Sequence, residues 1–455
     1  MNYLYQLIEL INKNIIVSAC QIAAVLGTRN RNLQKTKILQ SEGLRRWSVN
    51  LNSISSLQVI NIFCLLASHH LHTRTVTYFS KKMEFENEII DRMEVADPFR
   101  IPIGSGNVAL PYKPIHRLHT QAFQAYSSGN IGQAFSYEHT ALAELLKVFH
   151  EDKSGKHVPV LLTVARNTRD LGYQSGQLLK AEATIKKGLV ECIASKNKQK
   201  KWGAIEMSNQ LMWIYFRLTK LSLCGTLIPQ VDRATARMSL SMDEVPMSHR
   251  VTSQYYRGRL ALFNLDPVGA EVALDFAFQH CPKSSSHNKR LILHSLVPAK
   301  LLHGKYPSPS LLKKYNCHQY INLVHAVKNG DVGLFESCVT RHQVFFIKKG
   351  LFMLIPWIRM LLHRNLFYRI SQLNLEISTD AKTAHHIDLN KCETIMTSLS
   401  KGKKIYDKNV VQCILAGLID HRFIKGYLSH KLNKMVLAKK NAFVKVEAHM
   451  FRAEQ

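Results

Sequence analysis

From His116 onward, long stretches with apolar residues at three- and four-residue spacing alternate with short polar turns, the signature of successive amphipathic helices. Three stretches share one design: "AFQAYSSGNIGQAFSYEHTALAELL", "YYRGRLALFNLDPVGAEVALDFAF" and "YINLVHAVKNGDVGLFESCVTRH". Each runs from a helical pattern through a turn rich in Gly, Asn or Asp into small and aromatic residues, which predicts a repeated helix-turn-helix unit. One such pair cannot bury its own apolar stripe, so units of this kind stack. The expected fold is mainly α, a right-handed, TPR-like helical-repeat solenoid. Ala134, Ala270 and Ala273 suit close helix contact. Tyr126, Tyr256, Phe263, Phe276 and Phe278 are expected to fill gaps between helices rather than stack on a ligand.

Toward the end the period changes. "NVVQCILAGLIDHRF" places Val410, Val411, Ile414, Leu415, Leu418 and Ile419 on one helical face. "IKGYLSH", a polar turn through Lys431 and Asn433, and "KMVLAKK" then read as a two-stranded hairpin. Its apolar anchors are expected at Ile424, Leu428, Val436 and Leu437, with the lysines outward. With the helix around "LNKCETIMTSL", this order is that of a winged helix. The domains expected are an unassigned extension and linker over 1–106, N-terminal helical repeats over 107–240, a second helical part over 241–384, the winged helix over 385–443 and a tail over 444–455. The extension carries ten lysines and arginines between Met1 and Lys82 against two acids, Glu9 and Glu42, and holds no sustained period. "PFRIPIGSGNVALPYKP" reads as the linker that follows.

Composition adds one strong feature. The 455 residues are 46% hydrophobic and 20% charged, as in ordinary globular proteins, but the net charge is +29. That balance favours polyanionic partners without choosing among nucleic acid, acidic protein and anionic lipid. The nine cysteines are widely spaced without a C-x-x-C pair, which points to reduced, buried thiols rather than a disulfide framework. The apolar runs from Asn14 and Val59 are shorter than the roughly 20 residues a membrane helix needs, so no membrane insertion is expected. A cleaved secretory signal is not expected either, whereas an organellar leader stays open for so acid-poor a start.

A search for chemistry finds no catalytic constellation, so no enzyme, cofactor or metal is expected. There is no phosphate loop; "KSGKH" lacks its length and its hydroxyl. No dinucleotide fingerprint, nucleophile elbow or H-E-x-x-H is present. His116 with His119, and His385 with His386, fall short of the three or four converging ligands that zinc requires. The acids, Asp266 and Asp331 among them, have a sufficient role in capping turns and helices.

Basic clusters remain: "KNKQKKW" from Lys196, "KGKK" from Lys401, and the terminal ribbon. A charge run is usually a solvated face, but recurrence within one small domain raises its weight. Between Lys391 and Lys440 there are eleven lysines and arginines against Glu393, Asp407 and Asp420. Such a surface can grip phosphates without reading bases.

The blocks "KKWGAIEMSNQLMWIYFRLTKLSLCGTLI", "YYRGRLALF", "AFQHCPKSSSHNKRLILHSLVPAKLLHGKYPSPSLLKKY", "LHRNLF" and "VVQCILAGLIDHRFIKGYLSHKLNKMVLAKKNAF" occur in an order that closely resembles the PCI domain-containing protein 2 family. The likeness runs from about Leu118 to Phe443. It implies helical repeats leading into a winged helix, together a PCI module, and a non-enzymatic scaffold of a nuclear transcription-export complex. Its implied partners are a large germinal-centre-associated nuclear protein-like scaffold, a small acidic subunit, RNA or DNA, and the nuclear pore. The implied location is the nucleus, with a cytoplasmic pool also compatible. The family's basic wing maps onto Arg422, Lys425, Lys431, Lys434, Lys439 and Lys440, with packing roles expected for Gly426 and Tyr427. The first hundred or so residues have no counterpart there. Pro356 breaks a helix that the family keeps whole, and "NLEISTDAKTAHHIDL" has no clear equivalent. An alternative within the same fold is a proteasome-lid or signalosome-like subunit whose basic surface meets acidic protein segments.

Overall fold

A computed structural model of the chain describes residues 112–237, 244–378, 385–400 and 406–446. The 1–106 extension, the Lys401–Lys404 cluster and most of the tail lie outside the described residues. Those described form sixteen α-helices and three short strands, a mainly α helical-repeat fold that ends in a winged helix.

Two compact units are present among the described residues. The first comprises 112–328, 334–361 and 445–446. It opens with α1 (Lys113–Ser127), α2 (Ile131–Glu151), α3 (Val158–Gln174), α4 (Leu178–Ala194), α5 (Lys198–Arg217) and α6 (Leu221–Ala236). It continues through α7 (Met247–Phe263), α8 (Pro267–His280), α9 (Ser286–Leu302) and the short α10 (Pro309–Lys314). Consecutive helices from α1 to α9 pack against each other. Helices two apart also touch, as α3 and α5 or α5 and α7 do, which is how a stack of pairs covers each pair's apolar stripe.

The turns explain why the pattern repeats. After α1, Gly129 at φ +81° lets the Asn130 N–H reach the Ala125 carbonyl, and the Asn130 side chain then accepts from the Gln133 N–H to start α2. The α7–α8 turn has the same wiring, with Asp266 donating to the Ala261 carbonyl and accepting from Gly269. There the left-handed position is held by Leu265 at φ +56°, at a cost of about 1 kcal/mol. Ala134 and Ala270 are fully buried and Ala273 nearly so, as expected. Tyr256 is buried too, but Phe263 is 36% exposed at the end of α7 and fills no gap.

One buried glutamate per region ties these helices together. Glu138 on α2 meets His119 of α1 at 3.0 Å and Asn167 of α3 at 3.1 Å. Glu206 on α5 meets His249 of α7 at 2.6 Å and Arg166 of α3 at 3.4 Å. Glu271 on α8 binds Lys300 and His303, and Lys305 beyond α9. Burial by itself would raise the Glu206 pKa, but the hydrogen bonds from His249 and Asn209 and the nearby Arg166 hold it at about 2.

Further along come α11 (Ile321–Asn329), α12 (Val332–Arg341), α13 (Gln343–Lys348) and the long α14 (Ile355–Ile377). Pro356 does not break a helix here: a 3-10 turn ends at Leu354 and the proline is the second residue of α14, where its missing N–H is not needed.

Candidate nucleic-acid interface

The second unit comprises 329–333 and 362–444. Its winged-helix order is the latter part of α14, then β1 (His386–Asp388), α15 (Leu389–Leu399), α16 (Lys408–Asp420), β2 (Gly426–Ser429) and β3 (Lys434–Leu437). The strands form an antiparallel sheet in the order β1-β3-β2. The sequence pattern predicts only the hairpin. β1 sits inside the stretch without a family equivalent, and three residues are too few to show a two-residue alternation.

Asp388 ends β1 and caps α15 by accepting from the Asn390 N–H at 2.8 Å, and Asp407 caps α16 through the Val410 N–H at 2.8 Å. On α16, Val410, Val411, Ile414, Leu415 and Leu418 are buried, and Ile419 is half-buried at the margin. The helix stops in a paired closure in which Phe423 donates to the Leu418 carbonyl and Arg422 to that of Ile419, each at 2.9 Å. Arg422 is therefore one residue beyond the helix cap rather than on its last turn, exposed and left-handed at φ +60°. Phe423 and Ile424 bury their side chains behind it and bring the chain to the ribbon.

Both strands are shorter than the runs that predict them. In β3 the alternation buries Met435 and Leu437 and leaves Lys434 and Val436 on the other face. This corrects the expected anchor at Val436: neighbours in a strand cannot both face the core. Leu428 pairs with Met435 and is partly buried, and Ile424 is buried. Gly426 has a packing role, since any Cβ there would run into the Val436 carbonyl oxygen. Tyr427 does not. It pairs with Val436 on the outer face and is 61% exposed.

The basic residues follow this geometry. Lys425 donates its N–H to Ala442 at 2.7 Å and accepts from Ala438 at 2.9 Å, so it is strapped to the loop that carries Lys439 and Lys440. Lys431 lies in the tip, in the turn closed by the Asn433 N–H on the His430 carbonyl, with Asn433 at φ +52°. Lys434 opens β3 opposite Ser429 and Asp388. Lys425, Lys431, Lys439 and Lys440 are exposed and Lys434 partly so. Among the described residues the ammonium groups of these five lysines have no hydrogen-bond or ion-pair partner. Of the acids nearby, Asp407 and Asp388 have their side chains committed to helix caps.

The other candidates fare differently. In "KNKQKKW", Lys200 and Lys201 are buried, and their ammonium groups donate to the Phe149 and Ile193 carbonyls at the C-terminal ends of α2 and α4. That cluster is structural on its buried half. His119 is a partner of Glu138, and no group of three or more metal-ligating side chains occurs among the described residues. The "KSGKH" loop is closed by Asp152 on the Ser154 and Gly155 N–H groups and by Asn197 on the Lys153 and Ser154 carbonyls.

Helical repeats ending in a three-stranded winged helix define an interaction scaffold of the PCI type. No family model matches the chain. Among curated proteins it is similar to PCI domain-containing protein 2 of Xenopus laevis, 33% identical over 73% of this chain and 84% of that protein. The Danio rerio protein of the same name is 34% identical over 73% and 84%. Enhanced ethylene response protein 5 of Arabidopsis thaliana is 30% identical over 72% and 79%. The chain belongs to the PCI domain-containing protein 2 family.

Proposed function

We propose that the protein is a non-enzymatic scaffold subunit of a nuclear complex that couples transcription to mRNA export, and that its winged helix holds RNA or DNA by the backbone. The observation that carries the binding half is the set of five accessible lysines without partners on one ribbon and its adjoining loop. Phosphates bound there would release counterions, giving an affinity that falls steeply with salt. The export half rests on the family resemblance. Its proposed partners are a large germinal-centre-associated nuclear protein-like scaffold and a small acidic subunit, with the nuclear pore as the site of action.

Two measurements test these halves. RNA affinity is titrated against salt for the wild type and for a variant carrying Lys425→Glu, Lys431→Glu and Lys434→Glu. The variant is expected to bind about 100-fold more weakly at low salt, with the slope of log affinity against log salt flattened by about two units, as for three lost single-strand phosphate contacts. An unchanged affinity and slope would remove the binding role. Affinity purification from nuclei is expected to recover a large export scaffold; recovery of proteasome-lid or signalosome subunits in its place would select the protein-assembly alternative.

A further inference from the structure

The outer face of the ribbon carries one large aromatic that the phosphate-gripping role does not use. Tyr427 stands on β2, one of the two edge strands of the sheet, in a row with Val436 and His386 across β3 and β1. Its ring is 61% exposed, and its hydroxyl has no hydrogen-bond partner among the described residues. Charge surrounds it. Lys425 precedes it by two residues, and Lys434 is its diagonal neighbour on β3, two residues from Val436 on the same face. Diagonal neighbours of this kind lie about 7–8 Å apart, within reach of long side chains. The face thus combines a flat, accessible π-surface with cations on both sides.

We infer that Tyr427 is a stacking platform for an unpaired base and that the ribbon therefore takes single-stranded nucleic acid in preference to a duplex. This rests on the ribbon being a nucleic-acid surface, as proposed above. In a duplex the base faces are already stacked on each other, and only the phosphates are open to the lysines. A single strand can lay its phosphates along Lys425 and Lys434 while a base lies on the ring between them. Every base has a π-face, so the stack confers preference for unpaired strands without strong sequence selection.

The test uses the full chain, an unstructured uridine oligonucleotide and a duplex with the same number of phosphates. Tyr427→Ala is expected to lose about tenfold or more in affinity for the single strand, the worth of one base–aromatic stack. The same variant should keep its duplex affinity and its salt slope, because no phosphate contact is removed, and Tyr427→Trp should retain single-strand binding. Single-strand affinity unaffected by Tyr427→Ala, or an equal loss on both probes, overturns the inference. If the triple lysine variant loses binding while Tyr427→Ala does not, only the stack fails; if neither variant matters, the nucleic-acid reading fails with it. Loss of a co-purifying protein in Tyr427→Ala, with no nucleic acid bound by the wild type, would make the ring a protein contact and also overturns it.

Discussion

Lysines in the first turn of α5 and lysines on the wing do opposite things with the same functional group. Lys200 sits 4.1 Å from the centroid of the Phe149 ring and donates to that residue's carbonyl at 2.5 Å. Lys289, in the first turn of α9, repeats the arrangement on Phe278, at 4.4 Å and 2.5 Å. Each ammonium satisfies an otherwise open carbonyl at a helix C-terminus, where the helix dipole is negative, and lies over an aromatic ring. The wing lysines have no such partner within the described residues, so their charge is available to a ligand. Charge alone does not mark a binding surface; what decides is whether the fold already supplies the counter-charge.

That contrast can be broken at several points. The largest effect is expected from Glu206→Ala in the helical unit, which leaves Arg166 and His249 without their shared carboxylate. Removing one partner from a buried ionic cluster costs about 3–5 kcal/mol, read as a lower denaturant midpoint. RNA affinity per folded molecule should not change. Lys200→Ala should cost about 2 kcal/mol by opening the Phe149 carbonyl, again with RNA affinity intact. Loss of RNA binding in either variant would undo the division of labour between the two regions.

Acid should act on the helical unit first. Glu206, with a folded pKa of about 2 against an ordinary 4.5, leaves the unfolded chain binding more protons between those values. Its stabilisation is present above pH 4.5 and is lost as pH falls through that window. Burial, with Lys349 and Arg290 nearby, holds His294 at about 3 against 6.5, so the unfolded chain binds the extra proton and stability is lost from pH 6.5 downward, in the same direction as for Glu206. Each group contributes at most about 1.4 kcal/mol per pH unit. Urea midpoints measured across pH should fall below pH 6.5, and His294→Gln should remove the largest part of that fall above pH 4.5, the remainder coming from His139 and His342, whose pKa values burial also lowers.

The smallest effect separates stability from binding at one residue. Arg422 holds a left-handed conformation that costs a non-glycine residue about 1 kcal/mol. Arg422→Gly should stabilise the protein by up to about that amount while weakening RNA binding a few-fold. A variant that gains stability with no loss of RNA affinity would take Arg422 out of the surface.

Much of this was legible in the residues. The three turn motifs, the apolar row on α16 and the position of the wing all follow from local periodicity and turn chemistry, which act within a few residues of sequence. The misses share a cause. β1 is too short for a period, and its pairing partner at Met435 lies 48 residues away in the chain. The inward reading of Val436 fails because apolar composition does not say which of two alternating faces a strand presents, and the packing role that the family resemblance implies for Tyr427 fails at the same alternation. The buried lysines of α5 carried no local sign at all, since the carbonyls they cap belong to other helices.

The sequence by itself determined the class of fold and the sign of the charge, because helical period, turn residues and composition are properties of neighbouring positions; the family followed from ordered blocks of similar residues. Tertiary structure alone decided which cations are already paired and which are open. It turned Lys200, Lys201 and Lys289 onto helix ends, strapped Lys425 beside Lys439 and Lys440, and set Tyr427 on an uncovered face. Pairing depends on distances between residues remote in the chain, and only the folded packing sets those distances.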